Sequence, residues 1–338
     1  MNKWAQIFLF VLFIGTISVL LDSCFSWNYR TKDSISSEYG MHFAELSSDF
    51  QGLDEIDILQ SFDGNLLIPS GEPGEWDEHI REIGNIVYHQ TLKRYFFYYS
   101  GHQGTYTQTD VFVGMAYSDD GRQWHKFGRV METGSEDPYV VLHNGTFYMF
   151  FEDKSESPFR KIDLAISEDG EKWKVIERGV IQPSLEGWQS QDVSSPVVVQ
   201  TDAGWLMLYE GRGPGNWGKI GYATSEDLLH WDQREEPIFE GSPSYPWELY
   251  VVPDDVIYDG RQYVLTYHGC NKQSDWKSGI ATSTDLLHWY RVNSFPIHPA
   301  DTLMFAEFDS QVYLLAASKA GVKLYRPLRG IEMGGDGS

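Results

Sequence analysis

The sequence has few cysteines and few basic residues. Its 338 residues contain two cysteines, Cys24 and Cys270, which excludes a framework of disulfide bonds within one domain. Lys and Arg number 26 against 49 Asp and Glu, so the net charge is −23. Because no basic stripe is present to follow phosphate groups, we expect no nucleic acid partner. No His or Cys residues have the paired spacing of a zinc site, so the sequence identifies no metal-ligating residues.

One long apolar run is present, and it lies at the N-terminus. Lys3 precedes the largely apolar run Trp4–Leu21. This pattern predicts a signal peptide or membrane anchor over residues 1–24, followed by a polar tether over residues 25–50. We therefore expect the rest of the chain to be secreted, periplasmic or membrane-anchored outside the cytoplasm, with a flexible tail over residues 331–338.

A motif of the form Ala-x-Ser-x-Asp-x-x-x-Trp occurs four times along the chain. Its copies end at Trp124, Trp173, Trp231 and Trp289, which are 49, 58 and 58 residues apart. A regular period of this length is typical of repeat architectures. Asp followed by Gly or Leu favours a turn, and Trp favours packing between sheets, so we interpret the motif as structural.

Each repeat contains four short segments with the composition of β-strands. In one repeat the apolar run Val140–Leu142 is followed by an Asn-Gly turn at Asn144 and by the aromatic run Phe147–Phe151. Asn-Gly between apolar runs is a strong hairpin signal. The repeated motif supplies a third strand, and a fourth follows its Trp. Four antiparallel strands per repeat indicate the blade of a β-propeller.

A fifth, incomplete copy closes the series of repeats. Met304–Phe308, Val312–Ala316 and Gly321–Tyr325 match its first three strands, but no Trp and no fourth strand follow. We expect Asn65–Pro69 to complete this blade, because closure removes an exposed sheet edge. The sequence thus predicts an all-β fold, a five-bladed β-propeller of four-stranded antiparallel blades over residues 51–330, preceded by the N-terminal signal or anchor.

The candidate site follows from this topology. The first strand of a blade begins, and the second ends, at the same face of the ring, and carboxylates occupy most of these positions. Cleavage of a glycosidic bond uses two carboxyl groups, one as proton donor and one as base or nucleophile. Crowding of carboxylates raises the pKa of some of them. We predict catalytic roles for Asp137, Glu210 and Glu82, and substrate binding by Asp192, Arg212, His268, Asp254, Glu152, His102 and Tyr250.

Aromatic residues are abundant, and we distinguish those that recur at matching points of the repeats from those that do not. Trp76, Trp188 and Trp247 lie at matching points of three repeats, which favours packing over stacking against a sugar. Tyr250 does not recur in this way, so we predict that it is the platform for a sugar ring.

Several of these features resemble a known group of enzymes. Five blades, the Asp-Pro pair within Ser135–Pro138 and the Ser-x-Asp-x-x-x-Trp motifs resemble the five-bladed propeller glycosidases, glycoside hydrolase families 43 and 32 and the related family 130. The resemblance covers roughly residues 60–326. It implies an exported carbohydrate-active enzyme, most simply a glycoside hydrolase. For Asp137 it implies a proton donor, as in family 130, or a residue that orients substrate or tunes the acid, as in families 43 and 32.

Two positions depart from the family pattern. Arg81–Gly84 stands where an Asp-Pro is expected, and Ser194–Pro196 stands where family 43 has Glu-x-Pro. A non-catalytic glycan-binding propeller and a glycoside phosphorylase therefore remain as alternatives, together with a protein-interaction scaffold. The expected partner is an oligosaccharide or polysaccharide, with a membrane tether through the N-terminal segment as a further possibility. No cofactor is required, although a carboxylate-rich funnel is compatible with Ca²⁺.

Overall fold

The computed structural model describes residues 59–107, 110–155, 159–215, 217–292, 296–297, 301–308 and 311–327. The predicted signal or anchor, the polar tether and the C-terminal tail lie outside these residues. Within the described part of the chain, no helix is long and apolar enough to cross a membrane.

Twenty strands form five four-stranded sheets, each of which is one blade. The N-terminal strand is β1 (Leu59–Pro69). Blade one consists of β2 (His79–His89), β3 (Arg94–His102), β4 (Val111–Ser118) and β5 (His125–Arg129). Blade two consists of β6 (Ser135–His143), β7 (Thr146–Asp153), β8 (Lys161–Ser167) and β9 (Lys174–Ile181).

The remaining strands follow the same order. Blade three consists of β10 (Asp192–Thr201), β11 (Gly204–Arg212), β12 (Gly218–Ser225) and β13 (Asp232–Gln233). Blade four consists of β14 (Tyr250–Tyr258), β15 (Tyr263–Cys270), β16 (Trp276–Ser283) and β17 (Tyr290–Arg291). Blade five contains β18 (Leu303–Phe308), β19 (Gln311–Ser318) and β20 (Gly321–Pro327).

Blade five is completed by the N-terminal strand. Strand β1 pairs antiparallel with β20, with Leu66 opposite Lys323 and Ile68 opposite Val322. Ile68 is buried, so the closing strand contributes to the core as well as to the sheet. The predicted five-bladed ring and its closure are confirmed. The closing strand is longer than expected, because pairing extends back to Leu59.

The repeated motif forms a tight turn in all four blades that carry it. In blade one, Ser118 Oγ accepts a hydrogen bond from the Gly121 N–H at 2.9 Å. Asp120 Oδ1 accepts from the N–H groups of Arg122 and Gln123, both at 2.8 Å. Trp124 Nε1 donates to the Gly121 carbonyl at 3.0 Å. Equivalent bonds from Trp173, Trp231 and Trp289 confirm the structural interpretation.

The second set of recurring tryptophans packs within the blades. Trp76 stacks on Tyr99, with ring centroids 5.6 Å apart, and a Cβ atom on Gly114 would overlap its indole ring. Tyr99 in turn donates a hydrogen bond to Asp77 at 3.0 Å. The same arrangement is made by Trp188, Tyr209 and Gly221 and by Trp247, Tyr267 and Gly279. The predicted packing role of these tryptophans is confirmed.

Candidate active site

The innermost strands of blades one to four carry a β-bulge close to their first residues. The register of the strand pairs slips there, at Glu82, at Asp137, at Ser195 and at Asp254. The first three of these residues have φ angles of 44°, 50° and 51°, which is uncommon for residues other than glycine. A bulge redirects a side chain that regular pleating would hold in the sheet. Four blades therefore direct one polar side chain each towards the same end of the ring axis.

A pocket lies where these bulges meet, with about 290 Å³ of space that is open to solvent. Glu82, Asp137, Asp254 and His268, all predicted from the sequence, line it. The lining also includes Ser195, Pro196, Pro138, Tyr139, Pro253, Ile83, Thr302 and Met304. Tyr139, one of the lining residues, links blade two to blade four, because its hydroxyl group donates a hydrogen bond to Asp255 Oδ1 at 3.0 Å.

Asp137 is one of two carboxyl groups of this pocket with a raised pKa; the other is Asp254, whose pKa burial raises to about 6. Its backbone N–H donates to Ser100 Oγ at 3.1 Å, and its Oδ2 accepts a hydrogen bond from Ser195 Oγ at 2.7 Å. Its other oxygen, Oδ1, is buried without a hydrogen-bond partner. Burial raises the pKa of Asp137 well above its usual value, and nearby carboxylates, Glu82 first among them, raise it further.

Glu82 has the opposite electrostatic environment. Its Oε1 is 2.5 Å from Nη2 of Arg81, and its Oε2 accepts a hydrogen bond from Thr302 Oγ1 at 2.7 Å. Burial alone would raise its pKa, but the charges of Arg81 and His268 outweigh burial and lower the pKa to about 2. Glu82 is therefore ionised at neutral pH, whereas the raised pKa of Asp137, which lines the same pocket, favours the protonated state.

His268 and Asp254 form a buried ion pair on the blade-four side. His268 Nδ1 lies 2.5 Å from Asp254 Oδ1, and Asp254 Oδ2 accepts from the Leu303 N–H at 3.1 Å. Burial lowers the pKa of His268, but the charge of Asp254 outweighs this and raises it to about 9. His268 therefore presents an imidazolium ring to the pocket at neutral pH.

Next to the pocket, acidic and basic side chains alternate across blades one to three. Arg81 Nε is 3.2 Å from Glu136, Lys154 contacts both Glu136 and Glu152, and Arg160 lies 3.1 Å from Glu152 and 3.6 Å from Asp192. Arg212 closes the series through an ion pair with Asp192. The predicted residues Glu152, Asp192 and Arg212 thus lie in this chain of ion pairs and not in the pocket lining.

Sequence reasoning missed the cations Arg81, Lys154 and Arg160. The sequence-based candidates come from the starts of first strands and the ends of second strands, and those of blade one are Glu82 and His102. Arg160 directly precedes the third strand β8, which begins at the same face because it is antiparallel to β7. Including the starts of third strands would have identified Arg160. Lys154 directly follows Glu152 and Asp153, so its place at this face could also have been predicted from the sequence.

The predicted residues Glu210 and Tyr250 contact each other. The Tyr250 hydroxyl group donates to Glu210 Oε1, and Ser194 Oγ donates to Glu210 Oε2 at 2.5 Å. Burial raises the pKa of Tyr250 and keeps its hydroxyl group protonated. A Cβ atom on Gly218 would overlap the Tyr250 ring, so one side of that ring is covered by backbone. Neither residue lines the pocket, and their catalytic and stacking roles stay predictions.

His102 lies apart from the pocket, in blade one. It is 7% exposed, and its ring centroid is 5.1 Å from that of His79 and 5.3 Å from that of Tyr106. Burial lowers its pKa, so its imidazole is neutral at pH 7. Its predicted part in substrate binding stays a prediction.

Within the described ranges, one group of carboxylates is close enough to surround a cation. One oxygen each of Glu136, Asp137 and Glu152 lies within 4.8 Å of the others. Oxygen ligands of this kind suit Ca²⁺. The ammonium group of Lys154 bonds to Glu136 and is 3.2 Å from Glu152, so a cationic side chain already lies among these carboxylates.

Comparison with solved structures finds the same fold in several other proteins. The chain is similar to a thermostable family-43 glycoside hydrolase, with a TM-score of 0.57 and 16% identity over 73% of this chain and 88% of that one. It is similar to a structure from the GH130 family of mannoside phosphorylases, which is described as containing glycoside hydrolases that target β-1,2-mannosidic linkages in Candida mannan. The TM-score is 0.60, and the identity is 14% over 82% of this chain and 96% of that one. It is also similar to the β-1,2-mannobiose phosphorylase of Listeria innocua, with a TM-score of 0.61 and 12% identity over 79% and 96% of the chains.

These identities show a shared fold, and at that level the resemblance to propeller glycosidases of families 43 and 130 is confirmed. An uncharacterized protein of Mycobacterium tuberculosis is 32% identical over 123 residues. The matched stretch covers 34% of this chain and 40% of that relative. No protein-family model matches the chain.

Proposed function

We propose that the protein is a glycoside hydrolase in which Asp137 donates a proton and Glu82 acts as the base. The observation that supports this most directly is the opposite pKa shift of these two carboxyl groups in one pocket. Environments that separate the pKa values of two carboxyl groups are the usual way to assign one as acid and the other as base.

The proposed step balances with water as the second reactant. Asp137 transfers its proton to the glycosidic oxygen as the bond from that oxygen to the anomeric carbon breaks. Glu82 takes a proton from a water molecule whose oxygen forms the new bond to the anomeric carbon. His268, as an imidazolium, is placed to bind sugar hydroxyl groups through its second ring nitrogen. Two carboxyl groups and one water molecule therefore suffice for the reaction.

The pocket encloses little space. The volume of about 290 Å³ between its lining residues includes open solvent, so the enclosed part is smaller than typical ligand sites of roughly 300 to 1,000 Å³. We infer that one sugar residue enters the pocket and that the rest of an oligosaccharide or polysaccharide stays outside it. Export through the segment Trp4–Leu21 is part of the same proposal, because such substrates occur outside the cytoplasm.

Release of reducing sugar from a panel of oligosaccharides and aryl glycosides, with and without inorganic phosphate, tests this proposal. We expect turnover that does not need phosphate and that is lost in Asp137→Asn. Asp232→Asn is the matched control, since that carboxylate is exposed and paired only with Arg234. Full activity of Asp137→Asn would refute the assignment. Sugar phosphate formed only when phosphate is present would indicate a phosphorylase instead.

A non-catalytic glycan-binding propeller is the second candidate. Ser195 favours it, because this residue occupies the blade-three bulge at which blades one, two and four carry a carboxyl group. In that case a saccharide would stabilise the protein against heat, no product would form, and Glu210→Gln would leave binding unchanged.

A further inference from the structure

We propose that the ammonium group of Lys154 serves as a permanent cation that takes the place of a divalent metal ion among Glu136, Asp137 and Glu152. It binds Glu136 and the Tyr106 hydroxyl group and lies 3.2 Å from Glu152 Oε1. Only 3% of Lys154 is exposed, so the charge is held inside the protein.

The position of Lys154 is fixed by the fold. Lys154 directly follows β7, and its backbone N–H donates to the Gly134 carbonyl at 2.9 Å. The side chain reaches the hydroxyl group of Tyr106, and Nζ lies 5.1 Å from the centroid of that ring. The backbone hydrogen bond and the contact with the Tyr106 hydroxyl group hold the ammonium group beside Glu136 and Glu152.

The charge balance explains why a lysine suits this place. Arg81 is shared between Glu82 and Glu136, and Arg160 is shared between Glu152 and Asp192. With Lys154 and Arg212, four cations then balance these four carboxylates. Burial lowers the pKa of Lys154, but the charges of Glu152 and Glu136 outweigh burial and raise it. The lysine therefore stays charged, and a divalent ion in its presence would bring excess positive charge into a buried site.

Binding of Tb³⁺ and Ca²⁺ to Lys154→Met tests the proposal without any turnover. Tyr106 lies close enough to sensitise Tb³⁺ luminescence, and calorimetry measures Ca²⁺ directly. We expect saturable binding to Lys154→Met that is at least about tenfold tighter than to the wild type, because Ca²⁺ affinity follows the charge of the ligand set. Adding Glu136→Gln to this variant should weaken the binding again.

Lys126→Met is the matched control, since Lys126 pairs with the single carboxylate Asp77 at 2.7 Å and should gain no site. Equal affinity of wild type and Lys154→Met, or a folded Lys154→Met that binds neither ion, would refute the proposal. If Lys154→Met folds only when Ca²⁺ is present, the proposal is supported. If neither it nor Lys154→Gln folds with or without Ca²⁺, the proposal is refuted, because the carboxylates then do not accept a metal in place of the lysine.

Discussion

The hydroxyl group of Ser195 donates a hydrogen bond of 2.7 Å to Oδ2 of Asp137, although 58 residues separate them in the sequence. Both residues lie at bulges of innermost strands with positive φ angles. Ser195 thus contacts the proposed proton donor and directly follows Ser194, the position at which family 43 is expected to carry its acid. This hydrogen bond occupies Oδ2 of Asp137, and Oδ1 remains to carry the proton.

Removal of this contact should shift the pH dependence of the reaction. In Ser195→Ala the ionised form of Asp137 loses a hydrogen bond, so its pKa should rise and the alkaline limb of the kcat profile should move to higher pH. A hydrogen bond to a charged group contributes about 1.5–3 kcal/mol, so kcat should also fall by about tenfold or more. Ser190→Ala is the control, because that hydroxyl group bonds only to the Gly187 carbonyl. An unchanged profile would contradict this role.

Arg81 should determine the acidic limb of the same profile. Glu82 has a pKa of about 2 with Arg81 present, so wild-type kcat/KM should stay level down to about pH 4. In Arg81→Met the burial of Glu82 is offset by His268 and Thr302 but no longer by Arg81, so its pKa should rise and activity should fall at a higher pH on acidification than in the wild type. Arg94→Met, which removes an ion pair with Asp119, should retain the wild-type profile. Coincident acidic limbs in Arg81→Met and wild type would contradict the role of Glu82 as base.

Buried carboxyl groups should make the protein less stable as the pH rises. Burial raises the pKa of Glu307 from 4.5 to about 7, and its Oε2 has no hydrogen-bond partner. The folded state therefore holds a proton that the unfolded state has released, and this group's contribution to stability falls between pH 4.5 and 7. Glu307→Gln should reduce the loss of unfolding free energy between pH 5 and about pH 8. Urea titrations at both pH values measure it, and equal losses in both proteins would contradict the prediction.

The packing of Trp76 should be sensitive to a single methyl group. A Cβ atom on Gly114 would overlap the indole ring, so Gly114→Ala should destabilise the protein by about 1–3 kcal/mol. Trp76→Phe removes the overlapping ring atoms, and the double variant should therefore lose less than the sum of the two single variants. Urea unfolding of the four proteins measures this coupling, and simple additivity would contradict it.

The sequence predicts the ring because its signals are local and repeat. The Ser, Asp and Trp of each motif bond to residues within three positions of themselves, so the nine-residue motif makes the same turn in each of the four blades that carry it. Ile68 and its neighbours were recognised as the missing strand of blade five by their pattern, since an incomplete last copy leaves an unpaired edge. The length of β1 was not predicted, because pairing with β20 decides where it begins.

The sequence also predicts which carboxylates lie at the candidate site, but not which side chains they contact. Asp137 and Glu82 were identified from their places in their strands, whereas the ion pairs that separate their pKa values depend on Arg81 and on residues from other blades. Glu210 was expected in the pocket, but Ser194 and Tyr250 hold it to one side. Side-chain direction at these positions follows from contacts between blades.

By itself, therefore, the sequence determined the number of blades, the turn between strands and the face that carries the polar residues, because all three depend on local hydrogen bonding and on the alternation of strands. Only the tertiary structure decided which side chains meet in the pocket. Bulges at Glu82, Asp137 and Ser195 redirect these residues out of the regular pleat, and ring closure brings blades together that are far apart in the chain. The position of Lys154 beside Glu136 and Glu152 likewise results from tertiary packing, since a buried charge is stable only where opposite charges contact it.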